Sequence, residues 1–282
     1  MTAAGSASHL YGVVWADAAD GALAGLPGDA VLVPYQRLAA ITRPTPAKPD
    51  RRLRPQLLGY TATLDSLARH TPVLPVRFGT TFATTDDVIT EFLAPGHDAY
   101  ASALTSLATR NQFTVRARYR GDAPVREVLA EQPATRALHQ RVRHAPRSKG
   151  ADQAARVRLG EQVAQAVGAK RSADIDTLTQ WLRPYQVLGS VSPARSVEGD
   201  RIADVACLVE RARAAEFEAA VAELGAHWRG RARLRLLGPM APYDFAAGLV
   251  NGEYTLDEAG DGRAPRWPVS SGRPAAKPVG EG

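Results

Sequence analysis

The chain has 282 residues, 45% hydrophobic and 23% charged, the profile of a globular protein long enough for two domains. No apolar run approaches the roughly 18 residues of a membrane span, and the opening MTAAGSASHLYGVVWA lacks the layout of a signal peptide, so a cytoplasmic protein is expected. With Cys207 as its one cysteine, the chain cannot form an internal disulfide or a multi-cysteine metal site.

In chain order, HLYGVVWA (9–16) reads as a first strand and DAVLVPY (29–35) as a second. Residues 43–55 hold four prolines and five basic residues and are expected to form a loop or linker. Leu57, Tyr60, Leu64 and Leu67 then recur at helical spacing. TPVLPVRFGTTF (71–82) reads as a strand interrupted by Pro72, Pro75 and Arg77. Pro75 is tolerable there if its missing donor faces a sheet edge. Arg77 is expected on the face opposite Val76 and Phe78, where it either clamps a carboxylate of the second domain or meets a partner. Thr84 or Thr85 caps the next helix, and Asp86 and Asp87 suit its positive end.

NQFTVRARYR (111–120) alternates strictly, with Phe113, Val115, Ala117 and Tyr119 on one face and Arg116, Arg118 and Arg120 on the other. Residues 122–183 are expected to be helical, broken at Pro133, Pro146 and Gly168. Strands follow at 185–192 and 202–210, then a helix with Phe217, Val221 and Leu224 on one face. The last strand, WRGRARLRLLG (228–238), places Arg229, Arg231, Arg233 and Arg235 on one face. The Gly- and Pro-rich end is expected to be a disordered tail.

The predicted fold class is α+β in two domains. A ferredoxin-like domain, an antiparallel sheet with helices on one face, spans 8–121. A helical connecting segment spans 122–184, a smaller α+β domain 185–250 and a tail 251–282.

Chemistry is harder to find. No phosphate-cradling glycine loop is present. His139 and His144, five apart, do not share a helical face, and Cys207 sits mid-strand as a small hydrophobe. No catalytic, cofactor-binding or metal-ligating residue is therefore assigned, and no enzyme activity is expected. The segment 136–158 carries seven basic residues against Asp152 alone. That leaves a nucleic-acid-binding regulator as the alternative reading. Aromatic residues do not interleave with these cations or with the arginine-striped strands, which argues against nucleic acid.

VLPVRFGTTF (73–82) resembles the signature run of the gas vesicle protein F/L family. HLYGVVWA and FTVRARY resemble its opening strand and the strand before its central helices, and LLGPMAPYDFA (236–246) its late Gly-Pro-x-x-Pro-Tyr-x-Phe motif. The likeness runs from about residue 8 to 248. It departs at Met240 and Ala241, where Trp and Pro are expected, and at Tyr60-Thr61, where His-Glu is common. The resemblance implies a non-enzymatic accessory protein of gas vesicle assembly, without cofactors and not in a membrane. It would associate with the vesicle and bind the small hydrophobic major shell protein and other accessory proteins. The motif and partner-binding candidates are Pro75, Arg77, Phe78, Gly79, Gly238, Pro239, Pro242, Tyr243 and Phe245.

Overall fold

The computed structural model describes residues 7–18, 29–44, 53–144, 151–193, 199–254 and 256. Two antiparallel sheets alternate with helices. The first sheet contains β1 (Ser8–Trp15), β2 (Val31–Tyr35), β3 (Leu38–Pro44), β4 (Leu74–Pro75) and β5 (Thr81–Phe82). Its order is β2-β3-β1-β4, with β5 also on β1. The second contains β6 (Arg110–Tyr119), β7 (Leu188–Pro193), β8 (Arg201–Glu210) and β9 (Ala232–Met240), ordered β7-β8-β6-β9.

The helices are α1 (Leu53–Ala68), α2 (Thr85–Asp87), a π-helical turn (Val88–Leu93), α3 (Ala94–Ser106), α4 (Ala123–Glu131), α5 (Pro133–His144), α6 (Ala151–Leu182), α7 (Ala214–His227) and α8 (Ala246–Val250). Thr84 caps α2 reciprocally: its Oγ1 accepts from the Asp87 amide at 3.1 Å, and its own amide donates to the Asp87 carboxylate at 2.9 Å.

The first sheet is buried on both faces. Tyr11, Val14, Ala39 and Ile41 pack beneath Tyr60, Leu64 and Leu67 of α1, whereas Leu10, Val13, Leu38 and Ala40 face the opposite way. A strand covered on both sides needs a nearly continuous apolar run, as in LYGVVW, and helices lie on both faces, not one. The opposite face joins Leu104 of α3 and Leu107 just beyond it, Ala246 and Leu249 of α8, and Leu188, Ala206 and Leu208 of the second sheet. The second sheet's other face meets α6 and α7, burying Phe113, Val115, Ala117 and Tyr119 against Leu178, Leu182, Phe217 and Val221.

An α+β fold of antiparallel sheets is what the sequence predicts and what is seen, but the assignment of strands to sheets differs. β6 was expected to close the first domain, yet it sits at the centre of the second sheet, paired with β8 and β9. The strand–helix–strand–strand–helix–strand run from β6 to β9, with β6 between β8 and β9, is the ferredoxin-like order. That order therefore falls on the second sheet. Alternation shows that a strand is half-buried, but its partners lie some 90 residues away and leave no local trace.

Smaller corrections follow the same physics. The stretch 71–82 forms only two-residue pairings around a turn, because its prolines interrupt the ladder. Gly168 does not end a helix: α6 continues through it, held by the buried residues Val167, Arg171, Asp174, Leu178 and Leu182 on one stripe. Leu57 is exposed, not core. Arg229 and Arg231 belong to the turn before β9. At the C-terminal end, Tyr254 packs edge-on against Phe245, at 6.4 Å between centroids, and Leu256 joins the same cluster. The expected tail thus does not begin at 251; residues 255 and 257–282 lie outside the described residues, as do Pro146 and most of the expected linker.

Candidate functional site

The site is built around Tyr60, midway along α1 and 4% exposed. Its hydroxyl donates to the Val76 carbonyl. Its ring meets Tyr11 at 5.2 Å and Phe78 at 5.4 Å, both edge to face, and Tyr243 at 6.3 Å. Burial drives the Tyr60 hydroxyl well above the usual tyrosine range, so it stays a neutral donor.

Beside this cluster lies a cavity of about 210 Å³, lined by His9 and Tyr11 of β1, Arg43 of β3, Gln56 and Tyr60 of α1, and Phe78 with Gly79. At its edge Arg43 donates to Asp29 and, at 3.2 Å, to the Tyr11 hydroxyl. The hydrogen bond from Arg43 holds the Asp29 carboxyl below its ordinary value. The pair is solvent-exposed and adds little stability. A cavity this small, mostly aromatic and aliphatic with one charged pair at its edge, suits a single anchoring side chain better than a cofactor.

The 73–82 motif supplies one wall. Pro75 lies in β4 opposite Gly12, at the sheet edge, where its missing donor needs no partner. Arg77 is exposed, and among the described residues its side chain has no ion-pair partner, so the expected clamp is not formed. Its carbonyl instead closes the turn, accepting from the Thr80 amide at 3.2 Å and hydroxyl at 2.8 Å. Gly79 takes a φ of +90° within that turn. Because the backbone turns, Val76 and Phe78 do not share a face: Val76 joins the inter-sheet cluster and Phe78 the α1 cluster.

The 238–245 motif reaches the same place from the other end of the chain. Gly238 and Pro239 close β9, and Pro242 and Phe245 are buried. The Ala241 amide and the Tyr243 hydroxyl both donate to Asp65 Oδ1 at 3.0 Å, tying the motif to α1. Gln112 of β6 accepts from the Asp244 amide at 3.1 Å and donates to its carboxylate at 2.5 Å. Tyr243 thus joins the α1 cluster and Phe245 the inter-sheet cluster. Two motifs some 160 residues apart meet across Tyr60. Asp65 and Gln112, which hold the second motif, carry no signal of their own in the sequence.

The model of the family described as gas vesicle synthesis protein GvpL/GvpF matches residues 7–247, nearly the whole described chain. The chain belongs to the gas vesicle GvpL/GvpF family. A relative in this family, gas vesicle protein F of Streptomyces sp. (strain CB03234), is 30% identical over 210 residues, covering 74% of this chain and 84% of that one. Among solved structures, gas vesicle protein GvpF from Anabaena sp. PCC7120 superimposes with a TM-score of 0.68 at 17% identity, over 86% of this chain and 98% of that one. GvpF from Microcystis aeruginosa gives 0.64 at 17% identity, over 86% and 99%. At that identity, the likeness to the solved GvpF structures speaks for the fold.

Membership of the GvpL/GvpF family supports a role in gas vesicle assembly. No helix of the described chain is long and apolar enough to cross a membrane. Among the described residues, no group of three His, Cys, Asp or Glu is placed to hold a metal ion. Cys207 is fully buried, and burial pushes its thiol far above the ordinary range, which leaves it an unreactive hydrophobe.

Proposed function

We propose that the chain is a non-catalytic assembly factor that holds the hydrophobic gas vesicle shell subunit, with other accessory proteins, in the cytoplasm before and during shell growth. The observation that carries this reading is the pair of exposed leucines on the turn of α1 that lines the Tyr60 cavity. Leu57 and Leu58 on α1 are 44% and 60% exposed, and Val31 on β2 is 48% exposed. Leu57 and Leu58 lie between Gln56 and Gly59, which line the cavity, whereas Val31 points to the other face of the sheet with Val33. β2 is also an edge strand of the first sheet. A subunit with a large apolar surface aggregates unless a partner covers it, and an apolar patch with a side-chain-sized hole is suited to that.

The test is the Leu57→Asp, Leu58→Asp double variant, co-expressed with the shell subunit. Both residues are exposed, so the variant should melt within about 1 kcal/mol of the wild type. Capture of the shell subunit should fall by about tenfold or more, as when an interface anchor is removed. Unchanged capture with an unchanged melt would place the shell subunit elsewhere.

A further inference from the structure

The face of the second sheet that looks away from α6 and α7 divides into two halves. Near the chain ends of α3 and α8 it is apolar and covered, through Leu188, Ala206 and Leu208. The other half is built of arginines. In one row Asp204, Arg116 and Arg235 stand side by side across β8, β6 and β9. In the next, Arg201, Arg118 and Arg233 do the same. Of these five guanidinium groups three reach the carboxylate in the rows: Asp204 accepts from Arg118 at 2.8 Å, lies 3.2 Å from Arg201 and 3.8 Å from Arg116. Arg233 and Arg235 are exposed and make no ion pair among the described residues. The Nε of Arg201 is buried without a hydrogen-bond partner.

This arrangement is costly to the fold. Like charges directly opposite each other on neighbouring strands destabilise a sheet, and here Arg116 faces Arg235, Arg118 faces Arg233, and Arg118 also faces Arg201. Charge on the edge strand β9 alone would be enough to deter edge pairing. Doubling it on the central strand β6 serves no such purpose.

We propose that this arginine face binds an extended acidic segment of a partner protein, laid along β9 and β6. Alternate side chains of an extended chain stand about 6.8 Å apart, the same spacing as Arg233 to Arg235 and Arg116 to Arg118, so carboxylates at alternate positions match the rows. The guanidinium fork pairs with a carboxylate through two hydrogen bonds. Aromatic platforms for bases are absent from these rows, where Ser192 continues the Asp204–Arg116 row on β7, which favours peptide over nucleic acid. The inference stands on the sheet alone and does not require the shell-binding reading.

The test uses the full chain and a fluorescein-labelled peptide of about a dozen residues alternating Glu and Ser, followed by anisotropy. Binding is expected at low salt, weakening steadily as salt is added. The Arg233→Ala, Arg235→Ala double variant should bind about tenfold more weakly, yet melt no earlier than the wild type, because its loss relieves the opposed charges. Three results would overturn the proposal: no binding at low salt, equal binding by the double variant, or tighter binding of a single-stranded DNA oligomer of the same length. Neutralising the chain's own acidic stretch (Asp257→Asn, Glu258→Gln, Asp261→Asn) should leave peptide affinity unchanged. An affinity about tenfold higher in that variant would assign the face to the chain's own segment instead and equally defeat the proposal.

Discussion

Arg231→Met is expected to destabilise the protein by about 3 kcal/mol, the low end for removing the partner of a buried charge, because Asp174 is buried while Arg231 and Glu127 are partly exposed. Arg231 precedes β9 and turns toward the helices. There it donates to Glu127 of α4 at 2.9 and 3.2 Å and to Asp174 of α6 at 2.8 and 2.9 Å. Asp174 is 7% exposed and also accepts from the Tyr119 hydroxyl at 2.6 Å, while Lys170 reaches Glu127 at 2.9 Å. Without the arginine, Asp174 remains buried and keeps, among the hydrogen bonds of the described residues, the neutral Tyr119 donor.

The acid limb of stability should change as well. Burial alone would raise the Glu127 carboxyl, but hydrogen bonds from Arg231 and Lys170 outweigh it and hold the group below its ordinary value. A depressed carboxyl contributes stability above its unfolded pKa, near 4.3, and loses it as pH falls through the folded value. The wild type should therefore lose stability below about pH 4.5, and Arg231→Met should lose less over the same range. Urea melts at neutral and acid pH measure both effects. A neutral-pH loss under about 1 kcal/mol would mean the cluster is no stronger than a surface pair.

Gly238→Ala should be nearly as damaging, for a steric reason. Gly238 has a φ of +125°, and a Cβ there would lie 2.9 Å from the Gln112 carbonyl oxygen and 2.9 Å from Phe113 Cδ1. Backbone in that region costs a side-chain-bearing residue about 1–3 kcal/mol. Pushing Phe113, fully buried in the second core, adds overpacking of similar size, so about 3 kcal/mol in all is expected. The displacement falls where Gln112 holds Asp244, so the Tyr243 contact with α1 should loosen too. A thermal melt of the variant checks it; a midpoint equal to the wild type would show that the motif's first glycine is dispensable to the fold.

What could be read from the sequence was local. β1, β2, β6, β8 and the start of α2 announced themselves through runs, alternation and a threonine ahead of Asp86 and Asp87. β3 was missed because Ala39 and Ala40, fully buried beneath neighbours on both sides, have little strand preference of their own. Arg116 with Arg118, and Arg233 with Arg235, alternate as read, but Arg229 and Arg231 lie in the turn before β9, and Arg231 reaches carboxylates more than 50 residues away. Arg77 was misjudged for a related reason: its role followed from assuming a strand, and a turn sends the side chain outward. For the site, the resemblance picked out both motifs. It could not show that they meet, because Tyr60, which brings them together, lies outside both motifs. Periodicity marked Tyr60 only as core.

The central claim is that the shell subunit sits over the Tyr60 cavity, on β2 and the first turns of α1. Amide hydrogen exchange of the full chain, alone and with the shell subunit, tests it most directly. The bound state should show slowed exchange across 31–35 and 53–60, with 136–144 and 201–210 unchanged. Protection confined to the α5–α6 helices or to the second sheet, with 31–35 and 53–60 exchanging as in the free protein, would contradict it.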